Sequence, residues 1–272
     1  MRKFVVGGAL ATLLMAPAHA DDQPFVTLVT TDIQPEHGRE IEQWLIWKSG
    51  RPGVSANEFV SRTELEYGFT DNLQGALYLN NVWERERIAP GPAAVADFAG
   101  VSGELVWRLM NPYFDPVGLA LYVEPTWAPN EHAIETKILV HKNFLDHRLR
   151  TVLNVIFEDV WARNGSGGFD RSSALEIGLG ASYNVTPDFS VGLEFNNERE
   201  FDGLIVGTSS AQTVSAYYLG PTIQYVGHPW AITFGAQAQL PTATSSVPGA
   251  VIGGYAAEAE NFRMTLRVST DI

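Results

Sequence analysis

The sequence predicts an all-β protein, a single antiparallel transmembrane β-barrel of twelve strands with short periplasmic turns and longer extracellular loops. Three observations predict it: apolar and polar residues alternate with period two from Glu40 onward, connections sort into short and long ones, and aromatic residues gather at both strand ends. Asp188 to Glu198 shows the alternation, with Phe189, Val191, Leu193 and Phe195 on one side and Ser190, Gly192, Glu194 and Asn196 on the other. Arg171 to Val185, Glu131 to His141 and Asn261 to Val268 repeat it, and none keeps the 3.6-residue period of a helix.

Tight turns are expected at Thr70–Asn72, Asn111–Pro116, Asn143–His147, Thr186–Asp188 and Gly227–Pro229. Longer loops are expected near Ser49–Ala56, Arg85–Asp97, Ala128–Asn130, Ala162–Asp170, Arg199–Ser210 and Pro241–Tyr255. An even strand number puts both ends of the barrel on the turn side. Trp47, Trp83, Trp127 and Trp161 then flank the outer loops. Tyr67, Tyr113, Tyr183, Tyr225 and Trp230 flank the turns, which gives two belts for two membrane–water interfaces.

Residues 1–20 read as an export leader: Arg2 and Lys3, an apolar stretch from Phe4 to Met15, and a small-x-small cleavage site at Ala18-His19-Ala20. The domain reading is therefore a leader over 1–20, an N-terminal segment over 21–38 that extends the sheet or folds into the lumen, and a barrel over 39–272. Pro35 and Gly38 separate the segment from the first regular strand. The chain has no cysteine, so closed sheet pairing or a large core must hold an exported protein of this size. Losing Arg2 and Lys3 with the leader takes the formal net charge from −13 to about −15. That acidity argues against nucleic acid as a partner. Mean hydropathy is −0.03, as polar inward residues and apolar outward ones cancel.

The inward face is expected to carry Arg62, Glu64, Glu66, Glu104, Arg108, Glu124, Glu135, Lys137, Arg148, Arg150, Glu158, Glu176, Glu194, Glu198, Arg263 and Arg267. An arginine or lysine at the lipid midplane would cost about 2–4 kcal/mol, which drives these residues inward. Such a nearly balanced interior fits either a ladder of ion pairs that fills the barrel or a narrow hydrated path with charged walls. Twelve strands lie between barrels filled by side chains and barrels with open channels. Ala174, Gly178, Gly180, Ser182 and Gly192 are small and inward-facing, and leave room for a ligand or simply permit curvature.

Several stretches carry a resemblance. Leu28-Val-Thr-Thr-Asp32, Pro35-Glu-His-Gly38 and Glu40-Ile-Glu-Gln-Trp44 resemble the start of outer-membrane proteins of the phenol-degradation meta-pathway type. Arg62 to Gly68, Thr70 to Gln74, Ala76 to Asn80, Asn111-Pro112, Gly118 to Tyr122, Lys142 to Phe144 and Leu219 to Thr222 are similar to later parts of that group. The resemblance implies an outer-membrane barrel, loosely a transporter, with no agreed substrate and no catalytic residues. Members commonly finish on an aromatic residue, whereas this sequence ends Ser269-Thr-Asp-Ile272.

Three functions are weighed. The first is a passive channel or transporter for small solutes, apolar or aromatic ones as the resemblance implies. The second is a closed structural or interaction barrel with an ion-paired lumen and acidic outer loops. The third is a lipid-active enzyme, for which His132 is the one histidine on the lipid-facing side near the outer end, with no serine close in sequence. No enzyme, cofactor or metal is predicted: His141, Asp146 and His147 read as turn residues, and Asn164-Gly-Ser-Gly-Gly168 lacks the lysine of a phosphate loop. The expected partners are outer-membrane lipid and a small solute or hydrophobic ligand.

Overall fold

Strands with one apolar and one polar face must pair on both edges and hide one face, and closing the sheet on itself does both. The protein, described here from a computed structural model covering residues 23–52, 56–88, 91–205 and 211–272, follows that solution. The predicted leader lies outside the described residues. The strands are β1 Arg39–Ser49, β2 Ala56–Thr70, β3 Leu73–Ile88, β4 Gly91–Met110, β5 Gly118–Trp127, β6 Glu131–Phe144 and β7 Leu149–Arg163. They continue with β8 Phe169–Thr186, β9 Phe189–Asp202, β10 Ala211–Val226, β11 Trp230–Gln239 and β15 Phe262–Asp271. Three two-residue strands, β12 Thr244–Ser245, β13 Val251–Ile252 and β14 Tyr255–Ala256, lie in the last loop.

Each long strand pairs antiparallel with its sequence neighbours, and β15 closes the ring by pairing with both β11 and β1. The result is a closed barrel of twelve strands, β1–β11 and β15, with no helix among the described residues. The closing register places Glu40 against Asp271, and Ile272 N–H donates to the Arg39 carbonyl at 3.1 Å.

Two connections differ from their expected form. Arg85–Asp97, expected as a loop, is mostly paired strand, with Arg85 opposite Ala94 and Ile88 opposite Gly91. Pairing simply continues beyond the band where alternation is enforced. The Ala128–Asn130 connection is only three residues, shorter than the one on the opposite side between Met110 and Gly118. The β3–β4 hairpin is bulged at Asn80/Asn81, opposite Gly100 with φ +105; a Cβ there would also lie 2.4 Å from the Trp127 carbonyl. The turn after β6 holds three successive left-handed residues without glycine, Leu145, Asp146 and His147. Such residues cost about 1–2 kcal/mol each and are retained only where a turn demands them.

The outward face is apolar. Leu65, Leu77, Leu105, Trp107, Leu179, Leu193 and Ile223 are all exposed, Leu77 to 68%. An apolar surface of this extent is untenable in water but suits a bilayer. Burial is instead concentrated in the lumen.

Candidate functional site

The lumen is the candidate site, and its turn-side half is filled by the chain itself. Residues 23–34 run irregularly inside the barrel, with Phe25, Leu28, Thr30 and Thr31 at most 1% exposed. A segment without regular pairing must find partners for its backbone elsewhere. The wall supplies them. Val26 and Thr27 N–H donate to the Glu194 carboxylate at 2.7 and 2.9 Å, and the Thr27 hydroxyl donates to it as well. Asn154 bonds Val29 both ways, accepting from its N–H at 2.7 Å and donating to its carbonyl at 2.9 Å. Thr233 donates to the Gln23 carbonyl at 3.0 Å, and Gln34 N–H donates to Gln74 at 2.6 Å.

The wall is also carved to this shape. A Cβ at Gly178 would stand 2.1 Å from Leu28, at Gly235 2.3 Å from Val26, and at Gly118 2.2 Å from the Thr31 hydroxyl. The room beside Gly178 and Gly180 is taken by Leu28 and Phe25. A cavity of about 60 Å³ remains between this segment and the wall of β1–β6, bounded by Asp32, Glu42, Trp44, Glu64, Tyr78 and Glu104 among others. It is large enough for a water or two.

Above the segment, every strand contributes polar inward residues and the lumen becomes ionic. Arg62 pairs with Glu124 at 2.7 Å while stacking 4.4 Å from the Tyr78 ring. Lys137 pairs with Glu135 at 2.8 Å and lies 4.1 Å from the Tyr122 ring. Arg263 pairs with Glu198 at 2.7 Å and lies 4.2 Å from Tyr218. Arg267 bonds Glu42, with its Nε 2.7 Å from Oε2, and stacks 4.8 Å from Trp44. Each of these four cations is thus held between a ring and a carboxylate. Tyr78 and Tyr122 in turn donate to Glu104 and Glu124.

The remaining predicted lumen residues fall as follows. Glu64, Glu66 and Arg150 are buried, Arg150 donating to Asn184 at 3.2 Å. Glu158 and Glu176 are half-buried on the inward faces of β7 and β8. Arg108 lies at the turn end and donates to the Asp71 carbonyl. Arg148 is a correction: it precedes β7, is exposed, and lies 5.0 Å from the Tyr183 ring, because the turn lifts it out of the strand's alternation. Of the predicted interface aromatics, Trp83, Trp127, Tyr113, Tyr225 and Trp230 are exposed, while Trp47, Trp161, Tyr67 and Tyr183 are half-buried by neighbours.

Sequence reasoning missed Glu40, Glu42 and Trp44, which face inward from β1, Glu42 fully buried. The signal was present: Glu40, Glu42 and Trp44 alternate with Ile41, Gln43 and Leu45. Their register puts carboxylates directly opposite one another, Glu40 to Glu66 and Glu42 to Glu64. The same holds for Glu124 to Glu135, Glu135 to Glu158 and Glu176 to Glu198. Directly opposed like charges cost stability, on the order of 0.2–1 kcal/mol each.

Carboxylate oxygens of Glu42, Glu64 and Glu66 lie within 4.8 Å of one another and could hold a cation. Trp44 Nε1 donates to Glu64 at 3.2 Å and Arg267 bonds Glu42, so protein groups already serve two of them. His141, expected as a turn residue, lies instead within β6, and His147 is in the turn that follows it. His141 is fully buried, 3.0 Å from Asn143 and 3.4 Å from Thr31, whereas His147 stacks on Tyr113 at 5.3 Å. His132 is exposed on the outward face.

The sequence matches DUF6662, a family of unknown function, over residues 17–265. The chain belongs to that family. The match does not confirm the phenol meta-pathway grouping. No curated protein matches the sequence. Among solved structures, the barrel is similar to the COG4313 outer membrane channel from Pseudomonas putida F1, with TM-score 0.64 and 13% identity over 91% of this chain and 100% of that one. It is also similar to the NanC porin, with TM-score 0.52 and 10% identity over 84% and 97%. At such identity the likeness is one of fold: this DUF6662 member shares the architecture of outer-membrane barrels.

Proposed function

We propose that this DUF6662 protein is a bacterial outer-membrane channel that passes small solutes through a narrow, charge-lined lumen, exported by its N-terminal leader. The observation that carries the reading is the set of directly opposed carboxylates along the inward face. A barrel that only needed filling would pair each acid with a base. Arg62 and Lys137 answer Glu124 and Glu135, but Glu158 and Glu176, which face Glu135 and Glu198, make no ion pair among the described residues. Inward acids without a base sustain a negative potential, which raises local cation concentration in a low-dielectric passage. Residues 23–34 fill the turn-side half, so conduction requires that segment to shift aside.

A second reading has its own observation. The β4–β5 ladder lapses where Gly103 and Glu104 face Glu124 and Pro125, since Pro125 has no N–H to give. An apolar recess of about 620 Å³ lies there on the outward face, lined by Leu65, Leu77, Leu105, Val123, Pro125 and Trp127. Such a recess suits an apolar solute that crosses the wall rather than the mouth.

Single-channel recording on the refolded protein in a planar bilayer separates the two. Small, discrete, cation-selective steps are expected. Silence from protein shown to be folded and inserted would overturn the hydrophilic channel and favour the recess.

A further inference from the structure

Inward charges are explained by the lumen, but a group of outward ones is not. The outer edge of the barrel carries two cross-strand rows. On β1–β3 the row is wholly aromatic: Trp47 opposite Phe59, and Phe59 opposite Trp83. Among the described side chains it carries no cation. On β5–β8 the row reads Trp127, His132, Trp161, Arg171, each directly opposite the next. Arg163 adds a second guanidinium one step further out, on the same outward face of β7.

These side chains are ordered for contact rather than merely tolerated. Arg171 lies 4.9 Å from the Trp161 ring and donates to Asp159 at 3.2 Å, and His132 packs 5.8 Å from Phe169. Arg163 is exposed and its guanidinium has no partner among the described residues. Arginine on a lipid-facing surface is tolerated only near the interface, where it can reach headgroups. Its planar fork matches phosphate oxygens, and flanking tryptophans seat at headgroup depth.

We infer that the Trp127–His132–Trp161–Arg171 row, with Arg163, is a docking surface for the phosphate-bearing headgroup of a glycolipid in the outer leaflet. The inference rests on the outer-membrane reading above. Width favours a glycolipid over a single glycerophosphate: four adjacent strands span about 14 Å at strand spacing. Charge complementarity favours an anion: Asp159 answers Arg171, and Arg163 leaves one uncompensated positive charge beside it on this face of a chain of net charge −13.

The test is native mass spectrometry of the refolded protein in micelles doped with bis-phosphorylated lipid A, its dephosphorylated form, or phosphatidylglycerol. Wild type should retain lipid A at about tenfold lower concentration than the dephosphorylated form, the equivalent of one good charge-assisted contact. The Arg163→Ala/Arg171→Ala variant should lose that preference, and Trp47→Ala in the aromatic row should keep it. Equal retention of both lipid A forms, or an unchanged preference in the variant, overturns the inference. Phosphatidylglycerol held as tightly as lipid A overturns the glycolipid assignment. If Arg171→Ala, which strips Asp159 of its partner, fails to fold, Arg163→Ala alone carries the test. Failure of wild type to insert into bilayers would refute the outer-membrane reading, whereas insertion without lipid preference refutes only this surface.

Discussion

The two halves of the lumen are built on different chemistry. The turn-side half holds residues 23–34 through backbone hydrogen bonds to neutral amides and a single carboxylate, Glu194, over glycines that make space. The loop-side half has no inserted N-terminal chain; its cations are clamped between rings and carboxylates, and several carboxylates face each other. Steric fit therefore governs one half and electrostatics the other. The two meet at Glu194, which accepts three bonds from Val26 and Thr27: dislodging the segment uncovers that buried carboxylate while the Arg62, Lys137 and Arg263 clamps stay in place.

The largest expected effect comes from breaking the steric half. Gly178→Leu would place side-chain atoms where Leu28 now sits, since even a Cβ there stands 2.1 Å from it. Single-channel conductance should rise several-fold, with residues 23–34 becoming open to protease. Gly103→Ala, whose nearest neighbour atom is 3.9 Å away, should change neither. Unchanged conductance in Gly178→Leu would show that the segment does not limit the path.

The next effect addresses the boundary between the halves. Glu42→Gln leaves Arg267, 5% exposed, without its carboxylate, and should cost about 3 kcal/mol in urea unfolding. Glu42→Gln combined with Arg267→Met should recover most of the loss. If the single variant is as stable as wild type, the pair is not what holds that wall.

Neutralising an opposed carboxylate should have the smallest effect on the fold and a visible one on selectivity. Glu158→Gln removes repulsion from Glu135 and should leave stability equal or higher by about 0.5 kcal/mol. The reversal potential under a salt gradient should move toward the anion side. No shift in Glu158→Gln and Glu176→Gln alike would mean that the outer lumen does not set ion preference.

Much of the barrel was legible because alternation is local. Phe189 to Phe195 reveals two faces without reference to any other strand, and the twelve-stranded closure follows from counting such segments. Legibility failed where a residue leaves the strand rule. Arg148 has the right parity for the lumen but sits in a turn, and Arg85–Asp97 carries loop-forming residues in a hairpin that pairs regardless. Glu40 and Glu42 obey the rule, but only strand pairing shows that they stand directly against Glu66 and Glu64.

By itself the sequence determined the number of strands, the apolar outward face and which residue types had to turn inward, because a period of two is written in adjacent residues. Only the tertiary structure decided what those inward residues meet. Arg267 reaches Glu42 across 225 positions and Thr27 reaches Glu194 across 167, contacts that closure of the ring creates. Whether small residues such as Gly178 leave a vacancy or a seat was settled the same way, by Leu28 folding back into the barrel it precedes.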